Sequence, residues 1–87
     1  MPYIGNMITE DHRNITCGGD PFNYLKSVMK GLSIQLNPGQ DAEIILSKDK
    51  FDYDQQTMEG LARTTKLVLV AVKRETDDIR LIVRKGN

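Results

Sequence analysis

The chain reads Asp11-His12-Arg13-Asn14-Ile15-Thr16-Cys17-Gly18-Gly19-Asp20-Pro21 at the place where its sequence pattern changes. Before this segment and into it, over residues 7–16, sparse apolar positions predict a short, irregular first strand. At its end, Asp20 is suited to accept a hydrogen bond from the first N–H groups of a helix, and a proline at the first helical position forfeits no hydrogen bond. We therefore predict that Cys17 lies on a strand-to-helix turn.

After Pro21 the apolar residues recur with a helical period. They fall on one stripe about 120° wide, which comprises Phe22, Leu25, Val28, Met29, Leu32 and Leu36. Gly31 weakens this helix, and Ile34 points off the stripe. The alternative is a helix that ends at Gly31, followed by a strand over 32–36 and a hairpin through the Pro38-Gly39 turn. We prefer the longer helix.

The rest of the chain predicts a strand over 42–47, a charged loop over 48–53, a short helix, a strand over 66–74, a turn at 76–78 and a strand over 79–84. Asp52 or Asp54 can cap the short helix, and Asp52 with Gln55 has the spacing of a capping box. The inner stripe of this helix comprises Met58, Leu61, Ala62 and Thr65.

The element order is β-α-β-α-β-β, which predicts an α/β two-layer sandwich with a mixed four-stranded sheet and two helices on one face. The helix-covered face takes Ala42, Ile44, Leu46, Ile79, Leu81 and Val83. The other face shows Ile45, Ile82 and one parity of the third strand, either Leu67, Leu69 and Ala71 or Val68, Val70 and Val72. Long lysine and arginine stems would shield this apolar surface, or it is a partner or self-association surface.

Eighty-seven residues predict a single domain over 1–87, in which residues 1–6 form a loose leader. Twelve acidic and twelve basic residues give a formal net charge of zero, which argues against a dedicated nucleic-acid binder. A single cysteine forms no internal disulfide and favours a reducing, cytoplasmic setting. No apolar run approaches a membrane span, and we expect no secretory signal.

Cys17 is the candidate reactive group, because a helix N-terminus favours the thiolate over the thiol. Gly18 and Gly19 let the backbone approach the sulfur closely. Arg13 would add positive charge, whereas the Asp20 carboxylate competes for the same donors. A buried structural thiol is the alternative interpretation. His12 and Cys17 alone do not make a metal site, and on an extended strand they would be roughly 16 Å apart, so we interpret His12 as a surface histidine.

In spacing, Asp11, Arg13 and Cys17 match the first half of a signature, Asp-x-Arg-Gly-x-x-Cys-Pro-x-Pro, and the chain resembles the TusA/SirA-type sulfur-carrier (sulfurtransferase) family. The resemblance covers residues 8–86, including the Pro38-Gly39 turn and the closing strand. Asn14 stands where the family has glycine. Among residues other than glycine, asparagine tolerates the left-handed conformation best. The segment Cys17-Gly18-Gly19-Asp20-Pro21 replaces Cys-Pro-x-Pro, and the chain from Pro21 to Pro38 is about one helical turn longer than in the family.

The resemblance implies a protein that accepts a sulfane sulfur as a persulfide on Cys17 and passes it to a protein acceptor, without a cofactor. It implies cysteine desulfurases or rhodaneses as donors and thiol proteins as acceptors. Asp11, Arg13 and Pro21 carry over as motif support, whereas Gly18, Gly19 and Asp20 are candidates for the local environment of the thiol. Two alternatives stay open: a non-catalytic binding or regulatory module with the same fold, and an RNA-binding α/β module.

Overall fold

The structure is a computed structural model of the 87-residue chain, and it describes residues 7–14 and 20–86. The predicted leader, residues 1–6, lies outside the described residues. Six elements follow the predicted order β-α-β-α-β-β: β1 (Ile8–Asp11), α1 (Pro21–Gln35), β2 (Asp41–Ser47), α2 (Gln55–Thr64), β3 (Leu67–Arg74) and β4 (Asp78–Lys85). In the described part of the chain, neither helix is long and apolar enough to cross a membrane.

The four strands form one mixed sheet in the order β1-β2-β4-β3. β1 runs parallel to β2, with α1 as the crossover between them, and the β2–β4 and β4–β3 pairs are antiparallel. Both helices start at the end of the sheet where β1 stops, and both run to the opposite end. We call the end of the domain where β1 stops the β1 end, and the end where the two helices stop the helix-C end.

The longer helix α1 is confirmed, and the alternative hairpin is wrong. Leu25, Met29 and Leu32 are buried on the sheet, and the backbone N–H of Leu36 donates to the Leu32 carbonyl at 2.8 Å. Ile34, the residue that the strand alternative would pair, is 79% exposed. The helical period therefore determines the structure of residues 32–36, rather than their strand-like alternation, because the helix buries more apolar surface.

Asp54 caps α2, and its carboxylate accepts from the Thr57 N–H at 2.8 Å. The predicted capping box of Asp52 with Gln55 is wrong, since the Asp52 carboxylate instead pairs with Arg74 at 3.1 Å. The predicted inner stripe of α2 is buried throughout. The segment 48–53 is more than a charged loop, because Phe51 within it is fully buried in the core.

The core lies between the helices and one face of the sheet. That face contributes the predicted residues of β2 and β4, which are Ala42, Ile44, Leu46, Ile79, Leu81 and Val83. In β3 neither predicted parity is right throughout, because a bulge between Leu69 and Ala71 shifts the register against β4. Leu69 and Val72 both pack on the core, although their positions have opposite parity. The bulge moves the apolar side of β3 from odd to even positions.

The open face of the sheet is covered at its centre and exposed at one edge strand. Ile45 lies between β1 and β4 and is only 7% exposed, and its register partner Arg80 pairs with Glu43 and Glu75 at 3.4 and 3.1 Å. On the edge strand β3, by contrast, Val68 and Val70 remain 54% and 45% exposed. The arginine stems therefore account for the centre of this face, and the exposed apolar surface is confined to β3.

Candidate functional site

The β1 end brings together the described members of the opening segment. β1 stops at Asp11, a turn follows at residues 13–14, and α1 begins at Pro21 beside it. Cys17, Gly18 and Gly19 lie outside the described residues. The site can therefore be built from its described frame, which comprises Glu10, Asp11, His12, Arg13, Asp20, Pro21 and Tyr24.

Asp11 and Arg13 form a bidentate ion pair across the turn. Arg13 Nε donates to Asp11 Oδ1 at 2.9 Å, and Arg13 Nη2 donates to Asp11 Oδ2 at 2.7 Å. The backbone N–H of Arg13 also donates to Asp11 Oδ1, at 3.0 Å. These hydrogen bonds from Arg13 lower the pKa of Asp11 to about 2. The same pairing raises the pKa of Arg13, so both groups stay charged throughout the physiological range.

A third group completes this arrangement from across the sheet. Arg13 Nη1 lies 3.3 Å from Oδ2 of Asp78, the first residue of β4. Arg13 is thus held by two carboxylates, and the three side chains together carry a net negative charge. We expected Arg13 to supply positive charge to a thiolate, and this geometry does not favour that role, because its field is cancelled at close range. What Arg13 does is fix the turn after β1.

Asp20 caps α1 as predicted. Its Oδ1 accepts from the backbone N–H of Phe22 at 3.0 Å, and its carbonyl accepts from the N–H of Tyr24 at 3.1 Å. Pro21 occupies the first helical turn and has no N–H to offer. The cap consequently uses donors that a bound sulfur anion would otherwise share, which is the competition expected from the sequence.

His12 is not the surface histidine that we expected. Its side chain is 19% exposed, and both ring nitrogens are engaged: Nε2 lies 2.9 Å from Glu10 Oε1, and Nδ1 lies 2.8 Å from the Tyr24 hydroxyl. The ring also packs edge-on against Tyr24, with centroids 5.5 Å apart. β1 ends at Asp11, so His12 does not lie on the extended strand that we predicted, and its separation from Cys17 lies outside the described residues.

The Glu10–His12–Tyr24 cluster can hold a proton at more than one position. An ionised Glu10 only accepts hydrogen bonds, so neutral His12 carries its proton on Nε2 and accepts from the Tyr24 hydroxyl through Nδ1. When His12 gains a proton, Nδ1 donates to the Tyr24 oxygen instead. Both protonation states therefore keep both hydrogen bonds. The alternation Glu10-x-His12 on one strand face was the sequence signal for this pair, but Tyr24 gave none.

Aromatic side chains close the core beneath this cluster. Tyr24 packs against Phe51 with centroids 6.2 Å apart, and Phe22 packs edge-on against Tyr53 at 5.7 Å. Two of these rings come from α1 and two from the segment before α2. The frame at the β1 end is thus anchored in the core through aromatic contacts as well as through ion pairs.

No family model matches the chain, and no curated protein matches it at a significant level.

Proposed function

We propose that the protein is a TusA/SirA-like sulfur carrier, a sulfurtransferase that accepts a sulfane sulfur as a persulfide on Cys17 and relays it to a protein acceptor. The observation that carries the proposal is the described frame of the β1 end: a first strand, a turn fixed by Asp11 and Arg13, and a helix that is capped by Asp20 and opened by Pro21. In the sequence, Cys17 lies between this turn and this cap, three residues before Asp20.

The proposed chemistry is thiol exchange and needs no oxidant. The Cys17 thiolate attacks the outer sulfur of a donor persulfide, the donor S–S bond breaks, and the donor leaves as a thiolate. Cys17 then carries the sulfur as Cys–S–SH. An acceptor thiolate attacks that sulfur in turn, and Cys17 is released as thiolate. The donors in this proposal are cysteine desulfurase or rhodanese proteins, and the acceptors are thiol proteins.

The test is intact-mass spectrometry after incubation with a sulfane donor and removal of excess reagent. Wild-type protein should gain about 32 daltons, the mass of one sulfur atom, and lose it on reduction. Cys17→Ser, which has no thiol, should gain nothing. Arg13→Gln is the informative companion, because it releases the turn after β1 and leaves Asp11 and Asp78 without their counter-charge, so we expect less loading than in the wild type. Equal behaviour of wild type and Cys17→Ser would overturn the proposal.

A second candidate function is a non-catalytic binding or regulatory module on the same fold. The electrostatics of the β1 end favour it: Arg13 is neutralised, and Asp20 holds the Phe22 N–H. Both features reduce the stabilisation available to a sulfur anion. A Cys17 thiol that titrates at the ordinary value of about 8.5 and takes up no sulfur would support this function over the carrier.

The carrier proposal includes a homodimer through the open sheet face and a cytoplasmic location. The exposed Val68 and Val70 on β3 support the contact, because an edge strand with apolar side chains is a ready surface for pairing. Light scattering after size-exclusion chromatography should show a dimer that Val68→Lys converts to monomer. A monomeric wild-type protein at high concentration would remove this part of the proposal and leave persulfide loading unaffected.

A further inference from the structure

A groove of about 420 Å³ lies at the helix-C end, on the other side of the domain from the β1 end. One wall is a row of α1 residues spaced by three, four and seven positions, and the other is the last residue of α2 with the two residues that follow it. The lining residues are Lys26, Lys30, Ser33, Ile34, Thr64, Thr65, Lys66 and Lys85. They come from three separate parts of the sequence and meet only in the fold.

The groove concentrates positive charge in a chain with no net charge. Its lining includes four lysines and no carboxylate. Within residues 7–14 and 20–86, no ion pair involves any of these four lysines, nor Lys48 or Lys73 outside the groove, whereas Arg13, Arg74, Arg80 and Arg84 are all paired with carboxylates. What distinguishes the groove is a lining in which four lysines meet without a carboxylate. A lysine that no carboxylate holds keeps its positive field for another molecule.

Three of these lysines stand where they work against stability. Lys26 and Lys30 are one helical turn apart on α1, and like charges at that spacing repel. Lys66 follows α2 with a φ of +69°, the left-handed conformation in which glycine is the usual residue after a helix. Positions that sacrifice stability in this way are characteristic of functional surfaces.

The remaining groups in the groove indicate the kind of ligand. The hydroxyls of Ser33, Thr64 and Thr65 donate to helix carbonyls at 2.7, 2.9 and 2.9 Å, and the Lys85 ammonium donates to the Ser33 carbonyl. Both helices present their C-terminal carbonyls here, which oppose any anion, so the attraction for an acidic ligand comes from the lysines. The lining has no aromatic ring on which a base could stack.

Ile34 supplies the apolar contact of the groove. It is 79% exposed and lies on the same stripe as Lys26 and Lys30. A groove of this kind fits a segment whose carboxylates are spread around an apolar side chain, since the carboxylates can meet separate lysines while the apolar group packs on Ile34. We propose that the helix-C end binds an acidic amphipathic helix of a partner protein.

This binding goes beyond the proposed sulfur carrier and does not need Cys17. α1 has 15 residues and a length of roughly 22 Å at 1.5 Å per residue. The groove extends along it from Ile34 back to Lys26, which is roughly 8 Å from Pro21. Persulfide loading and groove binding can each fail without the other, and Cys17→Ser should bind the acidic helix as the wild type does.

The probe is a synthetic fluorescent helix with leucines at helical spacing on one face and glutamates on the other, and binding is followed by fluorescence anisotropy at low salt. Lys26→Gln/Lys30→Gln should weaken binding about five- to tenfold, the loss expected for two exposed charge pairs. Lys48→Gln/Lys73→Gln makes the same change in net charge outside the groove and should leave affinity unchanged. Ile34→Ser should weaken binding with every lysine retained.

Three outcomes would overturn the proposal. Equal losses in the two double-lysine variants would show a non-specific charge effect. Full binding by a matched peptide with serine at the leucine positions would remove the role of Ile34. Binding of transfer RNA through these lysines, with no binding of the peptide, would show a phosphate ligand instead. Amide chemical shifts in titrations of ¹⁵N-labelled protein check that each variant is folded and should move around Lys30, Ile34 and Lys66.

Discussion

At the β1 end, the arginine is enclosed by carboxylates, whereas at the helix-C end four lysines line a groove without one. Arg13 contacts both Asp11 and Asp78 and so ties the turn after β1 to the first residue of β4. In the described part of the chain the groove lysines form no ion pair, and Lys85 reaches α1 only through the Ser33 carbonyl. The difference separates two uses of charge on one small domain: paired charges fix the backbone, and unpaired charges remain available to a ligand.

The two ends also differ in how they are anchored to the core. The β1 end rests on aromatic contacts that link α1 to the segment before α2, with Phe51 fully buried among them. The groove has no aromatic residue in its lining, and its largest apolar side chain, Ile34, is mostly exposed. We infer that substitutions at the β1 end act on the stability of the fold, and that substitutions in the groove act on binding.

The largest expected effect tests this inference at Phe51. Phe51→Ala removes a fully buried ring and leaves a cavity beneath Tyr24, so the free energy of unfolding should fall by about 3–5 kcal/mol. Urea denaturation followed by circular dichroism measures this change. For a domain of this size the loss is a large fraction of its total stability.

Ile34→Ala is the matched variant from the other end. The side chain is also large and apolar, but its exposure predicts a change within about 0.5 kcal/mol. Comparable losses in the two variants would break the comparison, because they would show that Ile34 belongs to the core. A small loss for Phe51→Ala would equally contradict the burial of its ring.

The next effect concerns the pKa of Asp11. Its folded value of about 2 is lower than its ordinary value, chiefly because of the hydrogen bonds from the Arg13 side chain. The pairing therefore contributes stability that is complete above pH about 4 and is lost as the pH falls through about 2. In Arg13→Gln the pKa should rise toward about 3.9, although the backbone N–H bond remains, and stability should change less between pH 4 and pH 2.

Carbon-13 NMR of the Asp11 carboxyl measures this pKa directly. Asp78→Asn is the control, since it removes the second carboxylate from Arg13 and leaves the Asp11 bonds in place. We expect the pKa of Asp11 to stay low in that variant. An unchanged pKa in Arg13→Gln would mean that the ion pair does not hold the turn, and the β1 end would lose its distinguishing feature.

The contrast between the ends also shows what the sequence could predict. Helix α1 was predictable because six apolar residues share one stripe and Asp20-Pro21 marks its start. The register of β3 was not, because Leu67 to Val72 is apolar at both parities, so its period does not locate the bulge. Phe51 was missed for a related reason: one apolar residue among charged ones has no period.

The candidate sites were less predictable than the fold because their residues are distant in sequence. Asp20 could be assigned as a cap, since a cap acts on its own helix. The His12 cluster depends on Tyr24, which only the packing of α1 beside β1 brings within 2.8 Å. The groove depends on lysines from 26 to 85, and a net charge of zero gave no sign that they would meet.

The smallest expected effect is a change in the free energy of unfolding, with opposite signs for Lys30 in the groove and Lys48 at the β1 end. Lys30→Gln relieves the repulsion from Lys26, so it should raise the free energy of unfolding by a few tenths of a kcal/mol. Lys48 lies beside Asp49, Asp52 and Asp77. Lys48→Gln removes the attraction to these carboxylates and should lower the free energy of unfolding by a similar amount. Screening weakens interactions between exposed charges, so both differences should shrink in 1 M salt.

Denaturation curves at low and high salt, averaged over replicates, measure these two changes in the free energy of unfolding. The same sign in both variants would mean that Lys30 is held by favourable interactions like those around Lys48, and the groove would then not be a reserve of unpaired charge.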